Sequence, residues 1–378
     1  MNMPITVSTA LQLKTACANA KSGDHIIIEP GDYTVYPDSP DPAVVDVDDA
    51  PAIQLRGVRD VRIDAYGVTI RSANPGSILG IRDCTNFKMF GLTLRGNGYT
   101  TELLPYYFSL VLFSGTNEGG YIEDCHAYDS GDHGFAHLIS IRATNGYVFK
   151  NCSATRCGNL NHPTQLQDGA GFAIGGSRNM YIQCWTVECF RGWEFETGQT
   201  GGYPMRDILM LSCSATRNLF QSVVVMRMDG NASLASDFLI KDFKCRGWGS
   251  TPGNPLGQAC TNIGVAWGGG CHSRIIDSEF TDMNMGIGVQ IDPRYADTYS
   301  MLIENNRFHD TYRPAVYMGS LLIAPETYAM RDVQVNKNYV RDVIASHGLW
   351  LRQGAAIAED NDIARVGPNM EYIHFETK

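Results

Sequence analysis

Glu194 and Glu196, two glutamates in the run GWEFETG, are the side chains of this chain best placed to do chemistry. On an extended strand alternate side chains share a face, so both carboxylates point one way, about 6.6 Å apart, and Trp193 and Phe195 point the other. Two carboxylates so placed can ligate a hard cation or work as an acid and base pair. The competing reading is a solvated ion couple with an arginine on a neighbouring strand. Like charges on adjacent outward positions destabilise each other, which favours the functional reading.

Two loops add titratable groups. The stretch YDSGDHGFAH holds Tyr128, Asp129, Asp132, His133 and His137. It is either a store of proton carriers or a turn rich in hydrogen bonds. Asp168, in QLQDGAGF, either reaches toward the glutamates or closes an Asx turn.

What must position these groups is a repeat. Segments alternating apolar and variable residues recur along the chain: AIQLRG, ILGIRD, SLVLFSG, LISIRA, GFAIGG, GWEFET, VVVMRM, GVAWGG, GVQIDP, AVYMGS and GLWLRQ. Most are followed by a second short strand ending in Cys, Ser or Asn, such as YIEDC, YVFKNC or LIENN. Short strands without intervening amphipathic helices exclude βαβ units, and the scarcity of Asn-Gly and Asp-Gly turns argues against a propeller. The expected fold is all-β, a single-domain right-handed parallel β-helix over residues 1–378, with a β-sandwich as the alternative. Residues 1–35 form an N-terminal cap, 52–365 the coils and 366–378 a C-terminal tail. The cap contains a short helix over residues 8–21, with Ser8 as N-cap and Leu11, Leu13, Ala16 and Ala20 as its apolar residues.

If the rungs stack in register, the outward pairs include Val111/Phe113, Ser140/Arg142, Ala173/Gly175, Glu194/Glu196, Val225/Arg227, Ala266/Gly268, Gln290/Asp292, Tyr317/Gly319 and Trp350/Arg352. Arg227 then lies one coil from Glu196, about 4.8 Å away. Small residues on the neighbouring rungs leave a trough in which a polymer can lie. Tyr317 and Trp350 can stack on sugar rings, and Asp292 and Asp132 add polar contacts.

Composition bounds the partners. The chain has 378 residues, 44% hydrophobic and 19% charged, with a formal net charge of -10. That charge disfavours a nucleic-acid ligand. No apolar run approaches the roughly 18 to 20 residues of a membrane span, and the first residues lack a secretory h-region. No organic cofactor is expected. The 11 cysteines include no CxxC motif. Five of them (Cys125, Cys152, Cys184, Cys213 and Cys245) recur at one place in the repeat, as a stack of buried thiols or, alternatively, as disulfides.

AKSGDHIIIEPGDYT resembles the start of polysaccharide lyases with the pectin-lyase-like β-helix fold. VECFRGWEFETG followed by VMRMDGN looks like the Glu-x-Glu and Arg-His-Gly elements of family 6 lyases, which cleave alginate or dermatan and chondroitin chains. The resemblance implies a calcium ion held by Glu194 and Glu196, with Asp168 in place of the family's asparagine, and Arg227 in proton transfer at the reacting uronate. Two family residues have no counterpart: no lysine occurs between Lys150 and Lys241, and Met228 stands where the histidine would be. The implied activity is β-elimination on a uronate glycan, with Arg227, Glu196, Arg142 and His133 as catalytic candidates.

Three other activities fit the same residues. One is a glycoside hydrolase of the phage tailspike type, with Glu194 and Glu196 as acid and base. A uronan C5-epimerase is favoured by the Tyr/Asp/His loop, and a non-catalytic glycan-binding protein is the last. A monomer or a homotrimer is expected, in an extracellular, periplasmic or virion setting.

Overall fold

A computed structural model describes residues 3–38, 51–97, 108–137, 143–158, 169–197, 204–227, 235–249, 262–289, 297–318, 330–368 and 370–376, with 196, 197, 226, 227 and 376 as backbone only. Arg142, Asp168 and Asp292 lie outside the described residues.

The coils are made possible by corners at which non-glycine residues take the left-handed conformation. Asp124, Asn151, Gln183, Ser212, Asp277, Asn305 and Lys337 each adopt a φ between 51° and 55°. Asn and Asp tolerate that region best, because a short polar side chain can bond locally. Here they bond along the stack: Asn151 donates to Asp124, Asn305 to Asp277 (2.7 Å) and Ser212 to Asp242 (2.8 Å). The residue after each corner points inward. Cys125, Cys152, Cys184 and Cys213 occupy this place as buried thiols, and Ser278, Asn306 and Asn338 occupy it further on.

The chain divides into two compact units, Met1–Phe190 and Arg191–Lys378. Each is a stack of parallel coils, and the fold is a right-handed parallel β-helix. Among the described residues no helix is long and apolar enough to cross a membrane.

In the first unit the helix spans Ala10–Ala18, shorter than expected, and Thr9 rather than Ser8 caps it by accepting from the Gln12 amide at 3.2 Å. Leu13 and Cys17 are its buried residues, while Leu11 is solvent-exposed. It lies against the strand Ile53–Arg56 and so covers the first coil. That strand begins a sheet continued by Leu79–Arg82, Ser109–Ser114, His133–His137 and Ala170–Ala173.

Two expectations about this sheet are corrected. Val111 and Phe113 face inward, where Phe113 meets Tyr147 edge-on at 5.4 Å, and Leu112 and Ser114 take the outward positions beside Gly80 and Arg82. The fourth rung is HGFAH, with Phe135 stacked on Phe172 at 5.0 Å, and not the later LISIRA. SLVLFS is buried at every position, so alternation cannot reveal its inward face.

In the second unit the corresponding sheet runs Arg191–Thr197, Gln221–Arg227, Ile263–Gly268, Met285–Val289, Val316–Met318, Leu349–Arg352 and Ile373–Glu376. Trp193, Phe195, Val223, Val225, Val265 and Trp267 all point into the core. Phe195 and Trp267 each pack edge-on against Phe238, at 5.5 and 5.3 Å. Residues 366–378, read as a tail, contain Ile373–Glu376, which adds a further rung against Leu349–Arg352. Cys245 leaves the thiol stack: it is level with Ala215, two residues past the place that Phe243 takes. The 10 described cysteines are all free and buried.

Candidate active site

Strand register in the second unit builds one outward row. Glu194 is level with Val224, Val224 with Ala266, Ala266 with Gly288, Gly288 with Tyr317, Tyr317 with Trp350, and Trp350 with His374. Parallel pairing makes each step about 4.8 Å. The row therefore starts at a carboxylate, crosses Val224, Ala266 and Gly288, all of them buried and the first two packed with Ile263, Met285 and Tyr317, and ends in aromatic rings.

Glu194 is not the open carboxylate that its outward position suggests. It is 7% exposed, and its Oε1 accepts from Arg191 Nη1 at 2.9 Å. The Arg191 guanidinium is buried as well; its Nε donates to Gln221 Oε1 at 3.2 Å, and it lies 5.5 Å from the centre of the Phe220 ring. Arg191 begins the strand level with Gln221, so the next coil fixes the arginine that fixes the glutamate. Glu194 Oε2 is buried with no partner among the described residues.

This geometry bears on calcium. A hard cation needs several free oxygens, whereas one Glu194 oxygen is bonded to a guanidinium whose positive charge would repel an incoming cation. Glu194 therefore does not fit the expected ligand role. Glu196 is level with Met226 in the backbone register.

The expected position of Arg227 is corrected. It is level with Thr197 at the end of its strand, on the alternation of the inward Val223 and Val225, and not beside Glu196. SVVVM is apolar on both faces, and the expected register was off by one residue.

In the first unit His133 and Asp132 do come together, as a fastening. His133 Nδ1 accepts the Ala170 amide at 2.8 Å, which leaves the ring proton on Nε2, 3.5 Å from Asp132 Oδ1. Asp132 Oδ2 accepts the Phe108 amide at 2.8 Å, and the Asp132 amide donates to Ser130 Oγ at 3.3 Å. With its lone pair held by a backbone amide, His133 as placed is no base. His137 is buried and bonds Thr144 Oγ1 through Nδ1 at 2.7 Å. Asp129 is a left-handed corner whose carboxylate binds Arg156 Nε at 2.6 Å. The hydrogen-bonded turn describes this loop.

Tyr317 and Trp350 stand together at the far end of the row, their ring centres 5.8 Å apart. Both are half-buried, each presenting ring surface to solvent. His347 and His374 meet the Trp350 ring edge-on at 5.1 and 4.9 Å. Sequence reading missed Arg191, Gln221 and the two histidines. Arg191 lies on the opposite alternation from Glu194, so a strand pattern does not pair them, and His374 lay in the supposed tail.

No protein-family model and no curated protein sequence matches the chain. Solved structures do. The A-module of the mannuronan C-5 epimerase AlgE4 of Azotobacter vinelandii is similar with a TM-score of 0.64 at 15% identity, over 100% of this chain and 97% of that one. The surface adhesin PfbA of Streptococcus pneumoniae gives 0.63 at 10% identity, over 98% and 95%. A family 28 exopolygalacturonase of Yersinia enterocolitica gives 0.60 at 13% identity, over 100% and 78%. At such identities the likeness establishes the β-helix fold.

Proposed function

We propose that the protein cleaves an acidic, uronate-containing polysaccharide by β-elimination, the polymer lying along the outward row of the second unit. The observation that carries this reading is the half-buried Tyr317/Trp350 pair, which stands in the same outward register as Glu194. The four steps from Glu194 to Tyr317 span about 19 Å, the length of a short oligosaccharide. A sugar's C–H face can stack on the half-buried rings. Two of the similar structures are a mannuronan C-5 epimerase module and an exopolygalacturonase, and mannuronan is a polymer of this class.

β-Elimination needs a neutralised uronate carboxylate, a base for the C5 proton and a proton for the leaving oxygen. In this reading a cationic group outside the described residues neutralises the carboxylate, since the register of Arg227 turns it from the row. Glu196 accepts the C5 proton. The C5–H electron pair becomes the C4=C5 bond, the C4–O4 bond breaks, and the departing oxygen takes a proton from solvent water. Arg191 pairs with Glu194 and offsets its charge. A polymeric substrate would be met outside the cell or at a virion surface.

Incubation with a panel of uronate polymers and neutral glycans tests this. The expected result is ultraviolet absorbance from a conjugated, unsaturated uronate end on at least one acidic polymer. Reducing ends without that absorbance would make the enzyme a hydrolase, and C5 deuterium uptake without chain shortening would make it an epimerase.

A further inference from the structure

We propose that His347, Glu371 and His374 form a binding site for a transition-metal ion of the zinc class, at the edge of the aromatic platform. Each residue offers one ligand atom, and these atoms all lie within 4.8 Å of one another. His374 Nδ1 stands 2.7 Å from Glu371 Oε2, and the two imidazoles lie face to face with ring centres 4.6 Å apart and 21° between planes. Glu371 and His374 come from the last rung and the turn before it, and His347 from the coil before. The three donors are thus brought together by coil stacking as well as by local sequence.

The donor set decides the kind of ion. Two imidazoles and one carboxylate make a borderline nitrogen and oxygen set suited to zinc, nickel or copper, whereas calcium and magnesium prefer oxygen alone. Three protein ligands are also the number that leaves a coordination position for water or a substrate oxygen. Glu371 is exposed and both imidazoles are half-buried, so an ion can enter from solvent.

The arrangement stores one competing contact. His347 Nδ1 accepts the Glu371 amide at 2.9 Å. An ion bound at Nδ1 displaces that hydrogen bond, and on this exposed segment water replaces it at small cost. Trp350 lies against both rings and limits the directions in which they can turn. The site does not depend on the β-elimination reading, and no catalytic role for it is assumed.

Calorimetric titration with zinc chloride, set beside calcium chloride, tests the proposal on the full chain. The result expected is one equivalent of zinc bound by the wild type, with no comparable calcium heat. His347→Ala and His374→Ala should each weaken zinc binding by more than about tenfold, since each removes one of three ligands. Glu371→Gln, which keeps shape and hydrogen-bonding capacity, should weaken it as well. Circular dichroism confirms that each variant is folded. Zinc should raise the thermal midpoint of the wild type and leave that of His374→Ala where it is, because only a ligand held by the folded state stabilises it. No zinc binding by the wild type, or wild-type affinity in either folded histidine variant, overturns the proposal.

Discussion

Replacing Arg191 by alanine isolates the interaction on which the reading of Glu194 rests. The two side chains are 9% and 8% exposed and 2.9 Å apart, and Arg191 also holds Gln221. Removing one member of such a pair strands the other charge in a poorly solvated place, which costs about 3–5 kcal/mol; the lower figure, ~3 kcal/mol, applies where some exposure remains. For a unit of this size each kcal/mol moves the thermal midpoint by about 2–4 °C, so Arg191→Ala should lower it by roughly 6–12 °C. Replacing both members, Arg191→Met with Glu194→Leu, removes the stranded charge and should recover most of the loss. Differential scanning calorimetry at neutral pH reads both variants. A drop below about 2 °C for the single variant, or a double variant no more stable than the single one, would refute the argument that a buried pair organises this strand.

Trp350→Ala should weaken acidic-glycan binding about tenfold, the equivalent of the ~1.4 kcal/mol carried by one good aromatic contact, as read by retardation in glycan-loaded gels. Asn338 bonds Asn361 at 3.0 Å, Asn306 at 3.1 Å and the Ile303 carbonyl at 3.0 Å; Asn338→Ala leaves buried partners unmet and should cost about 1–3 kcal/mol in denaturant titrations. Burial pushes the Cys17 and Cys245 thiols up to about 12. At pH 8 only about one in ten thousand of either would then be thiolate, and the 10 described cysteines should resist a thiol reagent until the chain is unfolded.

The β-helix was legible because its repeat writes the same demand many times. Each coil needs a left-handed corner and a small or polar inward residue after it, and segments such as YIEDC and LIENN carry both. Register was legible only where the two faces of a strand differ. In GWEFET acids alternate with aromatics, and Trp193 and Phe195 are buried as that pattern requires. SLVLFS and VVVM are apolar on both faces, so the inward set could be read one residue out, and it was at Phe113 and Arg227.

The site was legible in part for the same reason. The outward positions of Glu194, Tyr317 and Trp350 follow from alternation, while the burial of Glu194 follows from Arg191, whose position no alternation pairs with it. The supposed tail carried too short an apolar pattern to read as a rung, although Trp350 already called for a neighbour at its height.

The most direct test of the outward row as a catalytic site is the rate of unsaturated uronate formation by Glu196→Gln beside the wild type, on whichever acidic polymer the wild type degrades. The substitution keeps the size of the side chain and removes its capacity to take a proton. The account predicts loss of activity by at least about a hundredfold, the scale of a lost general base, with the fold intact by circular dichroism. Activity at the wild-type rate would contradict it and place the chemistry elsewhere on the coils.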